Sequence, residues 1–268
     1  MGKAPETKTI LKVEDLHLSF TGTPVLNGVT FEIHQGETVG IIGPNGSGKT
    51  TLFNTLSGFH SANSGKIVFR KVDISNWPPY KRALFGLGRV FQNFGVFKNM
   101  TPIENIICAL ESKEPWWRGF FPWSSTANQH REAAMDFLKL VGLESKATDK
   151  ASSLSGGQMR LLEIVRTLAF GAELFLLDEP TSGVSPKMKE DVARLIRDVK
   201  EKGKAILIIE HDINFIELFC DRVIVLDSGR VVLDDTPQNV RSNPMLQEVY
   251  FGTKGVERSP LETEAIEE

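Results

Sequence analysis

The sequence predicts an α/β fold with a parallel sheet and a helical lobe inserted into it. Three observations carry that expectation. Leu174–Leu177, Ala205–Ile209 and Val223–Leu226 are continuous apolar runs rather than alternating ones, as parallel strands covered on both faces require. A clear helix lies between the first two. Met188, Val192, Leu195, Ile196 and Val199 form its apolar stripe, Ser185 is placed to cap it, Pro186 suits its first turn and Gly203 ends it. A further short apolar run, Thr38–Ile42, leads straight into a glycine-rich loop. Strand–helix–strand order of this kind builds parallel sheets.

The composition allows such a fold and narrows the functions. The 268 residues suit one large domain, or one domain with a lobe set into it, and can bury a core without disulfide or metal staples. A hydrophobic content of 41% with 24% charged residues is ordinary for a soluble globular chain. The net charge of −3 and pI near 6.0 provide no basic field, so nucleic acid is not an expected partner. Cys108 and Cys220 stand far apart in no metal-like spacing, which fits inert thiols in a reducing compartment. Met1–Thr9 is polar and has no apolar signal-peptide core. No apolar run approaches the ~20 residues of a membrane span. A role at a membrane therefore needs spans from other chains.

Taken in order, Ile10–Phe20 reads as a strand and Val29–Ile33 as another, after a turn region at Gly22–Pro24. Thr38–Ile42 follows. The helix after the glycine-rich loop should bury Leu52, Phe53 and Leu56 and stop near Gly58. Lys66–Phe69 reads as an edge strand. Pro102–Leu110 and Gln129–Val141 have helical spacing, with Ala134, Leu138 and Val141 on one face and Gly142 as a stop. Between them, Glu111–Asn128 is rich in Trp, Phe, Pro and Ser. It reads as an aromatic cluster packed under its own loop, with a partner-docking patch as the alternative. A further helix runs over Gln158–Ala169. The expected organisation is a single domain over 1–257. Its core takes in about 9–92 and 172–252, its helical lobe about 93–171, and 258–268 is a disordered acidic tail.

Gly43-Pro-Asn-Gly-Ser-Gly-Lys-Thr50 fits the pattern G-x-x-x-x-G-K-[ST]. Its glycines let successive N–H groups point at phosphate oxygens, and the helix that follows adds its positive end. Lys49 is placed for the β- and γ-phosphates and the Thr50 hydroxyl for Mg²⁺. Asn45, Gly46, Ser47, Gly48 and Thr51 complete the expected ATP cradle. Leu174-Phe-Leu-Leu-Asp-Glu179 ends a buried strand with two carboxylates. Asp178 suits a Mg²⁺-water contact and Glu179 the polarisation of an attacking water. Many strands end in a solvated acid, so this pair takes its meaning from the phosphate loop. His211 follows Ala205–Ile209 at the strand end where open α/β sheets bind ligands, and is a candidate γ-phosphate contact. Leu154-Ser-Gly-Gly-Gln158 opens a second helix N-terminus fit for an anion. One ATP does not need two such ends from one domain, whereas two facing chains would use both.

With these motifs in this order, the chain resembles the ABC (ATP-binding cassette) ATPases from Ile10 to Gly252. The resemblance implies a RecA-like P-loop NTPase core, an antiparallel β subdomain and an inserted helical lobe. It makes Gln92 the Q-loop residue, in both the catalytic and the metal sets. His211 becomes the switch histidine, and Phe20 the aromatic that stacks on adenine. It makes Ser155, Gly156, Gly157 and Gln158 the signature that touches the ATP of a partner chain. It further implies two cassettes facing head to tail, transmembrane permease partners, and a peripheral position on the cytoplasmic face of the membrane. One departure is that Val184-Ser185 stands where the family often has Leu-Asp. Arg89-Val-Phe-Gln-Asn93, Phe97–Asn105 and Ile209-Glu-His-Asp212 look like the ATPases of branched-chain amino-acid importers, which work with an extracytoplasmic solute-binding protein. Urea and amide importers and the lipopolysaccharide-export ATPase are similar. Soluble ABC proteins acting on nucleic acid or ribosomes usually carry two fused cassettes or basic arms, which this sequence lacks.

Overall fold

The computed structural model describes residues 8–92, 95–112 and 125–244. Two sheets organise them. The first holds β1 (Thr9–Phe20), β2 (Thr23–His34), β4 (Ser64–Phe69) and β5 (Val72–Asp73), antiparallel throughout, in the order β2-β1-β4-β5. β1 and β2 meet at Thr21-Gly22, both at positive φ (48° and 85°), the backbone that a two-residue hairpin turn requires. The turn is thus shorter than the expected Gly22–Pro24, and Pro24 lies inside β2. It is tolerated there because β2 is an edge strand, where a missing N–H costs no ladder bond. β4 is not the edge it was expected to be. The two-residue β5 covers its end, a strand too short to leave a periodic signal.

The second sheet has six strands in the order β10-β9-β3-β8-β7-β6. These are β3 (Thr38–Ile42), β6 (Leu87–Val90), β7 (Leu174–Asp178), β8 (Ala205–Ile209), β9 (Arg222–Asp227) and β10 (Arg230–Asp235). All neighbours run parallel except β9 and β10. Its strands read as continuous apolar runs because each faces two cores. Leu174, Leu176, Leu207, Ile209, Ile224 and Leu226 point to one, shared with the antiparallel sheet and with α1 (Lys49–Ser57). Phe175, Leu177, Ile206, Ile208, Val223 and Val225 point to the other, shared with the helices that follow β6. α2 (Pro79–Leu84) sends the buried Arg82 into the C-terminal end of α1, donating to Thr55 O at 2.7 Å and Leu56 O at 2.8 Å. These are two of the carbonyls that a helix end leaves without partners.

Between β6 and β7 the elements are helical: α3 (Pro102–Glu111), α4 (Ser125–Leu140) and α5 (Gly156–Ala169). A capping box starts α3, with Thr101 Oγ1 accepting from Glu104 N and Glu104 Oε2 accepting from Thr101 N. α5 begins two residues before the expected Gln158. Both glycines lie in its first turn, and Ser155 is its cap. α6 (Pro186–Glu201), α7 (Ile213–Phe219) and α8 (Pro237–Ser242) follow β7, β8 and β10. Ser185 holds the cap position of α6, but its hydroxyl makes no capping bond, contrary to expectation. Most of the Trp-rich stretch and the tail 258–268 fall outside the described residues. Among the described residues no helix is long and apolar enough to cross a membrane.

Candidate active site

The register of the central sheet assembles the site. Ile41 of β3 and Asp178 of β7 both lie opposite Ile209 of β8. The loop after β3, the Asp178-Glu179 pair and Glu210-His211 therefore leave the sheet at one edge. Gly46 and Gly48 in that loop adopt φ of 82° and 103°, backbone that side chains other than glycine resist. At Gly48 a Cβ would also lie 2.9 Å from Val25 O. At Gly46 it would meet nothing within 4 Å, which leaves that side of the loop open. Lys49 is buried and folds back over the loop, its Nζ donating to Gly43 O and Pro44 O, each at 2.8 Å. Burial lowers its pKa, with Glu179 and Asp178 acting in the opposite sense. Ser47 Oγ is buried without a hydrogen-bond partner. Asn45, Gly46, Gly48, Lys49, Thr50 and Thr51 line a cleft of about 250 Å³ together with Val25, Glu179 and His211.

Two carboxylates at the end of β7 have different surroundings. Asp178 is buried and accepts from Arg89 Nη2 at 2.9 Å. Burial pushes its pKa up and the Arg89 guanidinium pulls it back down. Glu179 sits at φ 47°, a left-handed backbone that costs a non-glycine residue on the order of 1 kcal/mol or more. Its N–H donates to Ile209 O at 2.9 Å. Gln92 Nε2 donates to its Oε2 at 3.0 Å, and His211 Nε2 lies 2.9 Å from its Oε1. Glu179 is thus held between a side chain following β6 and one following β8. Behind it, the buried Glu210 Oε1 accepts from both Thr181 N and Thr181 Oγ1, at 2.9 and 2.7 Å. Glu210 Oε2 accepts from His211 N at 3.2 Å.

Two groups of expected site residues stand elsewhere. Phe20, at the end of β1, is 43% exposed and meets His60 edge-on with 5.2 Å between ring centroids. Ser155, Gly156, Gly157 and Gln158 form the first turn of α5 and do not line the Lys49 cleft. Ser155 Oγ accepts from Gln158 N, and Gln158 Oε1 accepts from Ser155 N, so both side chains fix the helix start. At Gly157 the helix passes so close to α6 that a Cβ would lie 2.7 Å from Met188 Cγ. Sequence reasoning missed Arg89, which partners Asp178, and Val25 in the cleft wall. It also missed the buried pair Arg160–Glu163 on α5, joined at 3.1 Å. An arginine in the middle of a buried strand, and opposite charges three apart on a helix, are the signals that could have found them.

A family model described as ABC transporter matches residues 26–182. The chain belongs to the ABC transporter family. It is 35% identical to the high-affinity branched-chain amino acid transport ATP-binding protein BraF of Pseudomonas aeruginosa, over 92% of this cassette and 99% of BraF. It is 34% identical to the lipopolysaccharide export system ATP-binding protein LptB of Acidithiobacillus ferridurans, over 91% and 97% of the two chains. Among solved structures, the ADP conformation of the cassette MJ1267 superposes with a TM-score of 0.80 at 33% identity, covering 92% of this chain and all of that one. A dimeric post-hydrolysis cassette, MJ0796 bound to ADP and Pi, gives 0.74 at 27% identity, over 85% and 99% of the two chains. The cassette is an ATPase of the transporter class, and the RecA-like fold expected from its motifs is the fold it has.

Proposed function

We propose that Lys49, Thr50 and the glycine loop hold the triphosphate of ATP, and that Glu179 drives its hydrolysis. The observation that carries this reading is the Glu179 carboxylate, gripped by Gln92 and His211 at the mouth of the Lys49 cleft. The buried, unpartnered Ser47 Oγ and the open face of Gly46 suit an oxygen-rich ligand lying on the loop. Lys49, whose Nζ donates to two backbone carbonyls, exchanges them for phosphate oxygens. The donor set also suits Mg²⁺, with one hydroxyl (Thr50), one buried carboxylate (Asp178) and one amide (Gln92). Among the described residues no cluster of three His, Cys, Asp or Glu exists that would favour another metal. Mg²⁺ typically takes few protein ligands and completes its shell with phosphates and water, and when bound it neutralises phosphate charge. Glu179 accepts a proton from water as its oxygen bonds to the γ-phosphorus and the bond to the β–γ bridging oxygen breaks. His211 and Gln92 orient that carboxylate. Phe20 stacks on the adenine.

Ser155, Gly156, Gly157 and Gln158 stand outside the lining of this chain's own cleft and serve the nucleotide of a second cassette. The dimeric MJ0796 structure supports that arrangement. An apolar groove of about 420 Å³ runs between β6 and the helical lobe, lined by Leu87, Phe97, Met100, Ala109 and Phe170 beside Arg166. It suits a cytoplasmic helix of a permease chain, which places the cassette at the membrane without crossing it. The kinship with BraF supports import of branched-chain or other hydrophobic amino acids, with a solute-binding protein outside. The similarity to LptB supports a second reading, export of lipopolysaccharide type. The test is affinity purification of tagged Glu179→Gln protein from membranes with ATP. Recovery of multi-span permeases and a solute-binding protein is expected, with ATP retained in a dimer and turnover nearly abolished. Single-span, lipid-handling partners would replace import with export. Near-normal turnover would remove Glu179 from the base role.

A further inference from the structure

Arg160 and Glu163 lie one turn apart on α5 with side chains only 1% exposed each. A buried ion pair is weak support for stability by itself, because desolvation cancels much of its Coulomb energy. What this pair holds is more specific. Arg160 donates through Nη1 to Phe91 O and through Nη2 to Gln92 O, the latter at 3.0 Å. Glu163 Oε1 accepts from Phe91 N and from Gly95 N, both at 3.1 Å. The other oxygen, Oε2, takes Arg160 Nη1 at 3.1 Å. The arginine thus meets carbonyls and the glutamate meets amides, all on the backbone around Gln92. These are the bonds of a clamp on a loop, and they match its polarity group by group. The clamp is carried by the helix whose first turn is Ser155–Gln158. The loop it grips carries the amide that touches Glu179.

We propose that Arg160 and Glu163 are positioning residues for hydrolysis: they fasten the Gln92 loop to α5, so that the seat of the signature helix sets where Gln92 meets Glu179. Whatever shifts Ser155 against a facing nucleotide is then felt at this chain's own catalytic carboxylate. The inference rests on the role given to Gln92 above.

The test is a double-mutant cycle on the full chain, co-purified with its membrane partners. Turnover, ATP affinity and melting are read together. Arg160→Lys keeps the charge beside Glu163 but loses the fork that reaches two carbonyls. Glu163→Gln keeps an acceptor for the two amides but loses the charge. Each is expected to lower kcat by about 10-fold with ATP affinity changed less than about 2-fold, and to add under about 2-fold once Gln92→Ala is present, because residues acting as a unit are not additive. Multiplying losses in the Gln92→Ala background would show that the pair acts elsewhere and overturn the proposal. Full turnover in Arg160→Lys would mean that the charge alone matters, and would overturn it too. Full turnover in Gln92→Ala alone would instead remove Gln92 from the mechanism, taking this proposal with it. The two variants perturb the clamp from opposite partners, so a folding failure in one leaves the other to decide.

Discussion

Replacing Arg89 by Met breaks the buried pair behind the site while nearly preserving side-chain length. Arg89 and Asp178 are 6% and 5% exposed and 2.9 Å apart. Arg89 also donates to Ser57 Oγ at 3.1 Å and stacks over the rings of Phe53 and Phe91 at 5.5 and 5.0 Å. Removing one partner of such a pair strands the other charge and costs about 3–5 kcal/mol. For a chain of this size that lowers the melting temperature by on the order of 10 °C. The cost carries a pH signature. Burial already raises the pKa of Asp178, and Arg89 is the largest influence against it, so without Arg89 the folded-state pKa rises further. A carboxyl whose folded pKa exceeds its unfolded value binds a proton on folding. The deficit is therefore complete at alkaline pH and shrinks as pH falls through the raised folded value. Adding Asp178→Asn should recover much of the stability at neutral pH, because the stranded charge is gone, and none of the turnover. Thermal melting of the single and double variants across pH checks this. A deficit that is flat with pH, or one that Asp178→Asn deepens, would refute the account.

Two further outcomes follow from the proposed binding of ATP. Phe20→Ala should weaken ATP binding by about 1 kcal/mol, roughly 5-fold, and leave kcat nearly unchanged; an unaltered dissociation constant would assign the adenine to another residue. Lys49, its pKa lowered by burial, recovers its charge against phosphate, so ATP binding should take up protons in alkaline buffers and weaken as pH rises through the lowered value. Calorimetry in two buffers of different ionisation enthalpy measures that uptake, and its absence would mean that the ammonium is fully charged before ATP arrives.

The fold was legible where periodicity and length are strong. β3, β8 and the stripe of α6 stand where the apolar runs predicted them, because a strand covered on both faces has nothing but apolar positions to show. Misreadings came where a single residue outweighed a pattern. Pro24 looked like a turn and lies in an edge strand; Ser185 looked like a cap and does not bond as one. β5 and β6 passed unseen, with two and four residues each, too short for a period to appear. β6 nonetheless places both Arg89 and the Gln92 loop.

The cleft was legible for a different reason. Its residues are consecutive, so Gly43–Thr50 and Asp178–Glu179 bring their own geometry with them. Whatever holds them comes from distant chain, and no local pattern encodes it. Arg89 meets a carboxylate 89 residues later, and Arg160 meets a carbonyl 68 residues earlier. Part of the second case was still readable. Arg160 and Glu163 lie one turn apart on the same side of α5, so their spacing offers an ion pair. The sequence thus implied a pair but neither its burial nor its use, because its remaining hydrogen bonds belong to a backbone whose course only the folded chain sets. Salt bridges read from spacing alone will therefore miss their purpose whenever, as here, the far ends of both side chains are spent on a loop.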